Sequence, residues 1–334
     1  MQQRVDDRAA IPRNPGPDSV CAIIPTYNSA DTLRSAVDSV LNQTRAADEI
    51  LVVDDGSTDS TADVCRGYDD ALTYIKKENA GASAARNTGA RAARGRWLAF
   101  LDADDVWDPE KLEIQLAALE QRPEADFAIT AALAWSAGEQ AWFKYEWTGS
   151  LDPRALRREL LVRNVFTGLC SSIVIERDAF LAVGGFTEGK LSEDRRLAID
   201  LLATHRGLIL PHALIRQRPG PASFSDPEKM RRGMFELIND YLLLYSQLDR
   251  TGRLFRRARA RVFERAAMHY LGNGEHLHAA RDFARAASIW PFTPDPWRFF
   301  VNACLGRLRK GTPTPLASSS SGVSNVTLRP VPAG

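Results

Sequence analysis

The sequence has almost no surplus charge: 43 Lys and Arg residues stand against 42 Asp and Glu, a formal net charge of +1. No global field marks the chain as a nucleic-acid binder, so any basic function must be local. Cysteine is scarce. Cys21, Cys65, Cys170 and Cys304 lie far apart and form no C-x-x-C pair, which argues against a zinc site or a disulfide framework and fits small buried hydrophobes. No window approaches the roughly 18 uninterrupted apolar residues of a spanning helix. The opening stretch, MQQRVDDRAAIPRNPGPDS, holds no apolar run of signal-peptide length. The expectation is a soluble protein of a reducing cytoplasm. The glycine turn G-x-G-x-x-G is also missing after the first apolar run, which sets aside a dinucleotide-dependent dehydrogenase.

What is present is alternation. Residues 1–17, polar and with three prolines, read as a disordered lead-in. Val20 to Ile24 is a short apolar run stopped by Pro25, and from Leu33 the apolar positions Leu33, Val37, Val40 and Leu41 recur at helical spacing. Ile50 to Val53 repeats the pattern, with DDGSTDST supplying N-cap candidates for the helix after it. Thr73 to Ile75 reads as a third strand and Trp97 to Leu101 as a fourth, preceded by an Ala- and Arg-rich helix that Gly95 ends. A helix with Leu112, Leu116 and Leu119 on one face follows.

Strands apolar throughout, alternating with helices, predict an α/β fold with a Rossmann-like, mainly parallel sheet covered on both faces. Ligands of such sheets sit at the carboxyl ends of strands, where PTYN, DDGSTD and DADD all fall. From about 150 to 220 the pattern is mixed, with SSIVI and GLILP as strands. Beyond Pro227 it turns helical. RTGRLFRRARARVFER carries seven arginines and one glutamate, and Gly272-Asn273-Gly274 folds the chain back into a second helix holding Ala280, Phe283 and Ala287. The expected organisation is a domain over 18–225, a helical region over 226–310 and a disordered tail over 311–334.

The chemistry concentrates in FLDADDVWDPEKL, Phe100 to Leu112. Side chains two apart on an extended segment point the same way, so Asp102 and Asp104 can converge on one hard cation while Ala103 faces inward. Alone, such a pair reads more simply as a solvated turn before a helix, capped by Asp105 or Asp108. Three strand exits together bring an aromatic ring, hydrogen-bonding side chains and acids. That is what a nucleotide diphosphate needs: a ring to stack on, acceptors for base and ribose, and a metal bridging the phosphates.

CAIIPTYNSADTLRSAVDSVLNQT, DEILVVDDGSTDST, ENAGASAARNTGARAARGRWLAFLDADD and GGFTEGKLSEDRRL closely resemble the inverting family-2 glycosyltransferases of the GT-A fold, over about residues 18 to 220. The resemblance implies that Pro25, Thr26, Tyr27 and Asn28 frame the base of a nucleotide-diphospho-sugar, Tyr27 by stacking. Asp55 would accept from the base ring, with Asp54 supporting its loop, and Arg86 would lie near the diphosphate. Asp102 and its neighbour Ala103 would approach the ribose, and Asp104, with Asp102, would hold a divalent cation, Mn or Mg. In SEDRRL, Asp194 is the candidate base and Glu193 its neighbour or substitute, although two acids also favour the dipole of any helix N-terminus.

The chain departs from the family where Arg195 follows the acid pair and where Arg218 stands in Arg216-Gln217-Arg218-Pro219-Gly220 in place of a histidine. A Q-x-x-R-W signature is absent, which favours transfer of a single sugar. The expected activity is a bacterial hexosyltransferase of surface-polysaccharide assembly, passing sugar from a UDP carrier, with TDP or GDP as alternatives, to a glycan or lipid-linked acceptor. A catalytically inactive sugar-nucleotide scaffold acting through the helical region is the second expectation. The arginine-rich helix reads as a solvated face or as a peripheral contact with anionic lipid on the cytoplasmic side. Trp290, Phe292, Trp297, Phe299 and Phe300 read as plugs onto the catalytic domain or as interface aromatics. The hairpin resembles a single tetratricopeptide-type unit, which must pack on the rest of the chain because one unit cannot bury its own faces.

Overall fold

β1 (Val20–Thr26) buries all seven of its side chains, and β4 (Trp97–Phe100) all four, so both strands must be covered on two faces. The computed structural model describes residue 16, residues 18–136, 141–147, 149–166, 168–218 and 227–292, and the backbone of 326–331. Over its first part the order is β1, α1 (Ala30–Leu41), β2 (Glu49–Asp54), α2 (Thr61–Arg66), β3 (Thr73–Lys76), α3 (Ala82–Ala92), β4, β5 (Asp105–Trp107) and α4 (Lys111–Glu120). Then follow β6 (Phe127–Ser136), β7 (Ala141–Trp147), α5 (Pro153–Val162), α6 (Leu169–Ser172), β8 (Val174–Glu176), α7 (Arg177–Ala182), α8 (Glu193–Thr204) and β9 (Gly207–Gln217). The helices α9 (Pro227–Asp240), α10 (Leu242–Leu248), α11 (Arg253–Gly272) and α12 (His276–Ile289) come next, and β10 (Val326–Val331) is last.

One sheet runs β10-β7-β6-β8-β4-β1-β2-β3, with β9 pairing β6 and β5. From β3 through β4 the pairing is parallel; antiparallel pairing enters at β8. The parallel register sets Thr26 opposite Asp54 and Ile23 opposite Phe100, so β1, β2 and β4 end at the same edge. That shared edge brings the three polar exits together.

Alternation along β1 divides the interior in two. Cys21 and Ile23 join a cluster with Ala85 of α3, Leu160 of α5 and Leu197 of α8, whereas Val20, Ala22 and Ile24 pack with Leu33, Val37 and Val40 of α1 and Leu112 of α4. The first cluster continues into the helical region through Leu254, Ala258, Val262 and Ala266 of α11 and Phe283 of α12. The hairpin thus buries its apolar face against α5 and α9. Cys21, Cys65 and Cys170 are buried free thiols, while Cys304 lies outside the described residues.

Some expectations need revision. SSIVI is not one strand: Ser171 and Ser172 close the short helix α6, and β8 begins at Val174. Val326–Val331, inside the stretch expected to be disordered, forms β10 against β7, because a β-branched run can satisfy the open edge that β7 would otherwise present. Residues 1–15, 17, 311–325 and 332–334 lie outside the described residues, as do Trp297, Phe299 and Phe300. Trp290 is half-buried and contacts the exposed Phe292 ring at 5.2 Å.

Candidate active site

β2 ends in two acids with different employment. Asp54 is fully buried and accepts from Ser57 N at 2.7 Å and from the Tyr74 hydroxyl. Burial alone would raise its pKa, but the hydrogen bonds from Ser57 and Tyr74 outweigh it and hold it below its ordinary value. Asp55 accepts from Gly81 N (2.6 Å), Lys77 Nζ (2.7 Å) and Ala80 N (3.0 Å), and so ties this loop to the start of α3. Gly56 turns between the two loops at φ +88°, where an added Cβ would stand 3.2 Å from Asn79 N. A carboxylate has about four acceptor positions, so Asp55 keeps one for a ligand.

At the exit of β1, Tyr27 exposes half of its surface. Asn28, in the left-handed region at φ 48°, accepts from Thr58 N on Oδ1 at 2.8 Å and donates its own N–H to Ser57 Oγ at 2.8 Å. Its role in the folded chain is to lock the first two loops to each other. Thr26 Oγ1 is buried with no hydrogen-bond partner among the described residues.

Ala103 is buried, and Asp102 and Asp104 are half-buried on either side of it, as strand alternation requires. Arg86, on α3 and only 4% exposed, reaches Asp102 Oδ1 with Nη2 at 2.5 Å and Glu193 Oε1 with Nη1 at 3.5 Å, and lies over the Phe186 ring. Burial by itself would lower its pKa; Asp102 and Glu193 outweigh that and keep it firmly charged. Its Nε has no hydrogen-bond partner among the described residues. Asp104 is raised above its ordinary pKa by burial first and by Asp102 second, while Arg86 and Arg218 act against the rise.

Asp105 is neither solvated nor a helix cap. It is buried in β5, accepts from the Ser171 hydroxyl at 2.6 Å, and titrates well above its ordinary range because of burial and the adjacent Asp102. Ser171 Oγ also accepts from Asp102 N at 3.1 Å, so one hydroxyl holds both acids of the turn. Nothing in the linear pattern singled out Ser171. Asp108 does not cap α4 either; the N-cap position is Glu110, with no side-chain cap.

Facing this turn, α8 begins at Ser192, a non-glycine residue at φ 60°. Such strained positions persist where packing over-determines them. Glu193 and Asp194 are both partly buried, and burial is the first cause of the raised pKa of each. Asp194 accepts from Arg195 N at 2.6 Å and from Asn164 Nδ2 at 3.1 Å. Arg195, the departure after the acid pair, turns away from the cleft: it is buried, donates from Nε to Leu160 O, and is lowered to about 10 chiefly by burial. Arg218 is exposed.

No group of three or more His, Cys, Asp and Glu among the described residues could by itself hold a metal ion. Asp102 and Asp104 nonetheless fit one: two adjacent carboxylates are hard oxygen donors, and Asp104 is under electrostatic pressure that a divalent cation relieves. Mg²⁺ sites of this kind take one or two carboxylates and complete the shell with substrate phosphates and water.

Residues 21–184 match the family described as Glycosyl transferase family 2. An uncharacterized glycosyltransferase of Haemophilus influenzae is 34% identical over 183 residues, covering 54% of this chain and 60% of that one. The putative teichuronic acid biosynthesis glycosyltransferase TuaG of Bacillus subtilis is 34% identical over 164 residues, covering 48% of this chain and 62% of its own length. The chain thus spans less than two thirds of these relatives. In shape it resembles residues 1–349 of S. aureus TarS in complex with UDP-GlcNAc (TM-score 0.54, 18% identity, 86% of this chain and 92% of that one). It also resembles the mannosyltransferase PcManGT of Pyrobaculum calidifontis in complex with GDP-Man and Mn²⁺ (TM-score 0.57, 18% identity, 90% and 84%). The chain therefore carries a family-2 glycosyltransferase domain, over residues 21–184, on a GT-A fold.

Proposed function

We propose that the chain is a metal-dependent, inverting glycosyltransferase that moves one sugar from a nucleotide-diphosphate donor, with UDP as carrier, to a hydroxyl of a glycan or lipid-linked acceptor in bacterial surface-polysaccharide assembly. One observation carries the reading: Arg86 contacts Asp102 at the exit of β4 and Glu193 at the start of α8, so an acid assigned to the donor and one assigned to the acceptor meet on one guanidinium. The surface-polysaccharide setting rests on the name of TuaG, and the donor class on the UDP-GlcNAc and GDP-Man held by TarS and PcManGT.

In this reading the exposed Tyr27 ring stacks on the base and the remaining acceptor position of Asp55 meets its edge. Thr26 Oγ1 and Arg86 Nε, buried and without a partner among the described residues, are polar groups whose cost a bound nucleotide diphosphate would offset. Asp104 and Asp102 would hold the divalent cation, which offsets the charge that builds on the departing diphosphate. Asp194 takes the proton from the acceptor hydroxyl as that oxygen bonds to the anomeric carbon, and the bond to the diphosphate oxygen breaks on the opposite face. A raised pKa makes Asp194 a better base than an exposed carboxylate. Because Arg195 is buried and bonded to Leu160 O, its side chain does not compete with an acceptor for Asp194.

Among the described residues no helix is long and apolar enough to cross a membrane. Arg253, Arg256 and Arg259, exposed at three-residue spacing on α11, support a peripheral contact with anionic lipid on the cytoplasmic side. The test of function is Asp194→Asn, which should bind UDP as the wild type does yet lose transfer, because the substitution removes the proton acceptor and leaves the nucleotide cleft intact. A wild-type protein that binds UDP but releases none from any sugar nucleotide in the presence of Mn²⁺ would instead be a scaffold.

A further inference from the structure

The base is held from outside its own helix. Asn164 follows α5, about thirty positions before Asp194 in the sequence, and donates Nδ2 to Asp194 Oδ2 at 3.1 Å. Its own amide is oriented in turn: Asn164 Oδ1 accepts from Phe166 N at 3.3 Å, which leaves the NH₂ end for the carboxylate. Phe166 is buried in the same cluster as Leu160 and Leu197, so the orienting N–H sits on rigid backbone. The other carboxylate oxygen is fixed by Arg195 N at 2.6 Å. Each oxygen of Asp194 therefore has one donor and keeps lone-pair capacity toward the cleft.

We propose that Asn164 is a positioning residue for transfer: its amide, locked by the Phe166 N–H, fixes the orientation of the Asp194 carboxylate and favours its ionised form. The inference rests on Asp194 being the base. A hydrogen bond to a charged form stabilises that form, so losing the amide donor should move the titration of Asp194 upward. The other groups acting on Asp194 are Arg195 and Glu193 on its own helix, Arg86 on α3, Cys170 on α6 and Arg265 on α11. None of these is altered by a change at position 164.

The experiment follows the side-chain carboxyl resonance of Asp194, assigned with Asp194→Asn, through a pH titration of the wild type, Asn164→Leu and Asn164→Asp. Alongside it, UDP binding is measured, together with UDP release from UDP-GlcNAc, UDP-glucose, UDP-galactose and GDP-mannose with Mn²⁺. Asn164→Leu should shift the Asp194 midpoint upward by about half a unit, and Asn164→Asp should shift it further by adding a like charge. UDP affinity should be unchanged in both, and the acid limb of turnover should move with the midpoint. A midpoint unmoved in both variants, with Asp194→Asn inactive, overturns the positioning role alone. Turnover by Asp194→Asn at the wild-type rate overturns the assignment of the base itself, whatever Asn164 does.

Discussion

Arg86 Nη2 lies 2.5 Å from Asp102 Oδ1, joining helix α3 to the acid at the exit of the fourth strand. Glu193 lies 3.5 Å from Nη1 of the same guanidinium, which therefore touches an acid at the exit of β4 and one at the start of α8. Arg86→Met should cost about 3 kcal/mol in chemical denaturation, since removing one partner strands two partly buried carboxylates. Arg86→Lys should recover little of it, because an ammonium cannot fork between two acids. Wild-type stability in both variants would show that the ion pairs contribute nothing.

Asp54 and Tyr74 give a pH-dependent prediction. The folded-state pKa of Asp54 is lowered, so its contribution is fully present above the unfolded value near 3.8 and is lost as pH falls through the folded one. Tyr74→Phe removes a donor to this buried carboxylate and should cost about 1.5–3 kcal/mol at neutral pH. The gap between wild type and variant, followed by urea melts, should narrow as the medium becomes strongly acid. A gap that stays constant into that range would mean the hydroxyl does not stabilise the charged form.

Lys111 gives a pH dependence of the same sign in a more alkaline range, but its substitution should stabilise rather than destabilise. It is fully buried at the start of α4, its Nζ has no hydrogen-bond partner among the described residues, and it sits 4.2 Å from the Trp107 ring centroid. Burial pushes its pKa well below 10.5, so between the folded and unfolded values the unfolded state holds the extra proton and stability rises with pH. Lys111→Met should stabilise the protein by about 2 kcal/mol at neutral pH. The variant should also flatten the rise in melting temperature between neutral and alkaline pH. A destabilised variant with the slope intact would show that the amine is paired.

The acid limb of activity should reflect Asp194. Burial raises its pKa, so protonation silences the base at a pH above the ordinary carboxylate range, and activity falls as pH drops through that value. A pH profile of turnover with the midpoint at or below 3.8, the ordinary aspartate value, would move the base to a solvated group.

The parallel half of this fold is legible in the sequence because β1, β2 and β4 are continuous apolar runs, each stopped by a polar cluster, and such runs leave only one kind of sheet. Tyr27, Asp55, Asp102 and Asp104 were legible for the same reason: a strand exit of known position fixes where they stand. Asp105 was not, because a third aspartate before Val-Trp looks like a turn, and only the pairing of β5 with β9 and the Ser171 hydroxyl bury it. Asn164 and Ser171 fall between about 150 and 220, where no periodicity ranks one polar residue above another. Arg195 reads as a surface charge in an E-D-R-R-L helix start; its burial depends on the Leu160 carbonyl, a contact 35 residues away. Long-range contacts of this sort leave no local signature.

In the proposed function, acids from separate loops would grip a nucleotide diphosphate through a divalent cation. Its most direct test is the thermal shift produced by UDP, with Mn²⁺ and after chelation, in wild type and in Asp104→Ala. The prediction is a rise in melting temperature that requires Mn²⁺ in the wild type and loses its metal dependence in the variant. An equal rise from UDP after chelation in the wild type would contradict it.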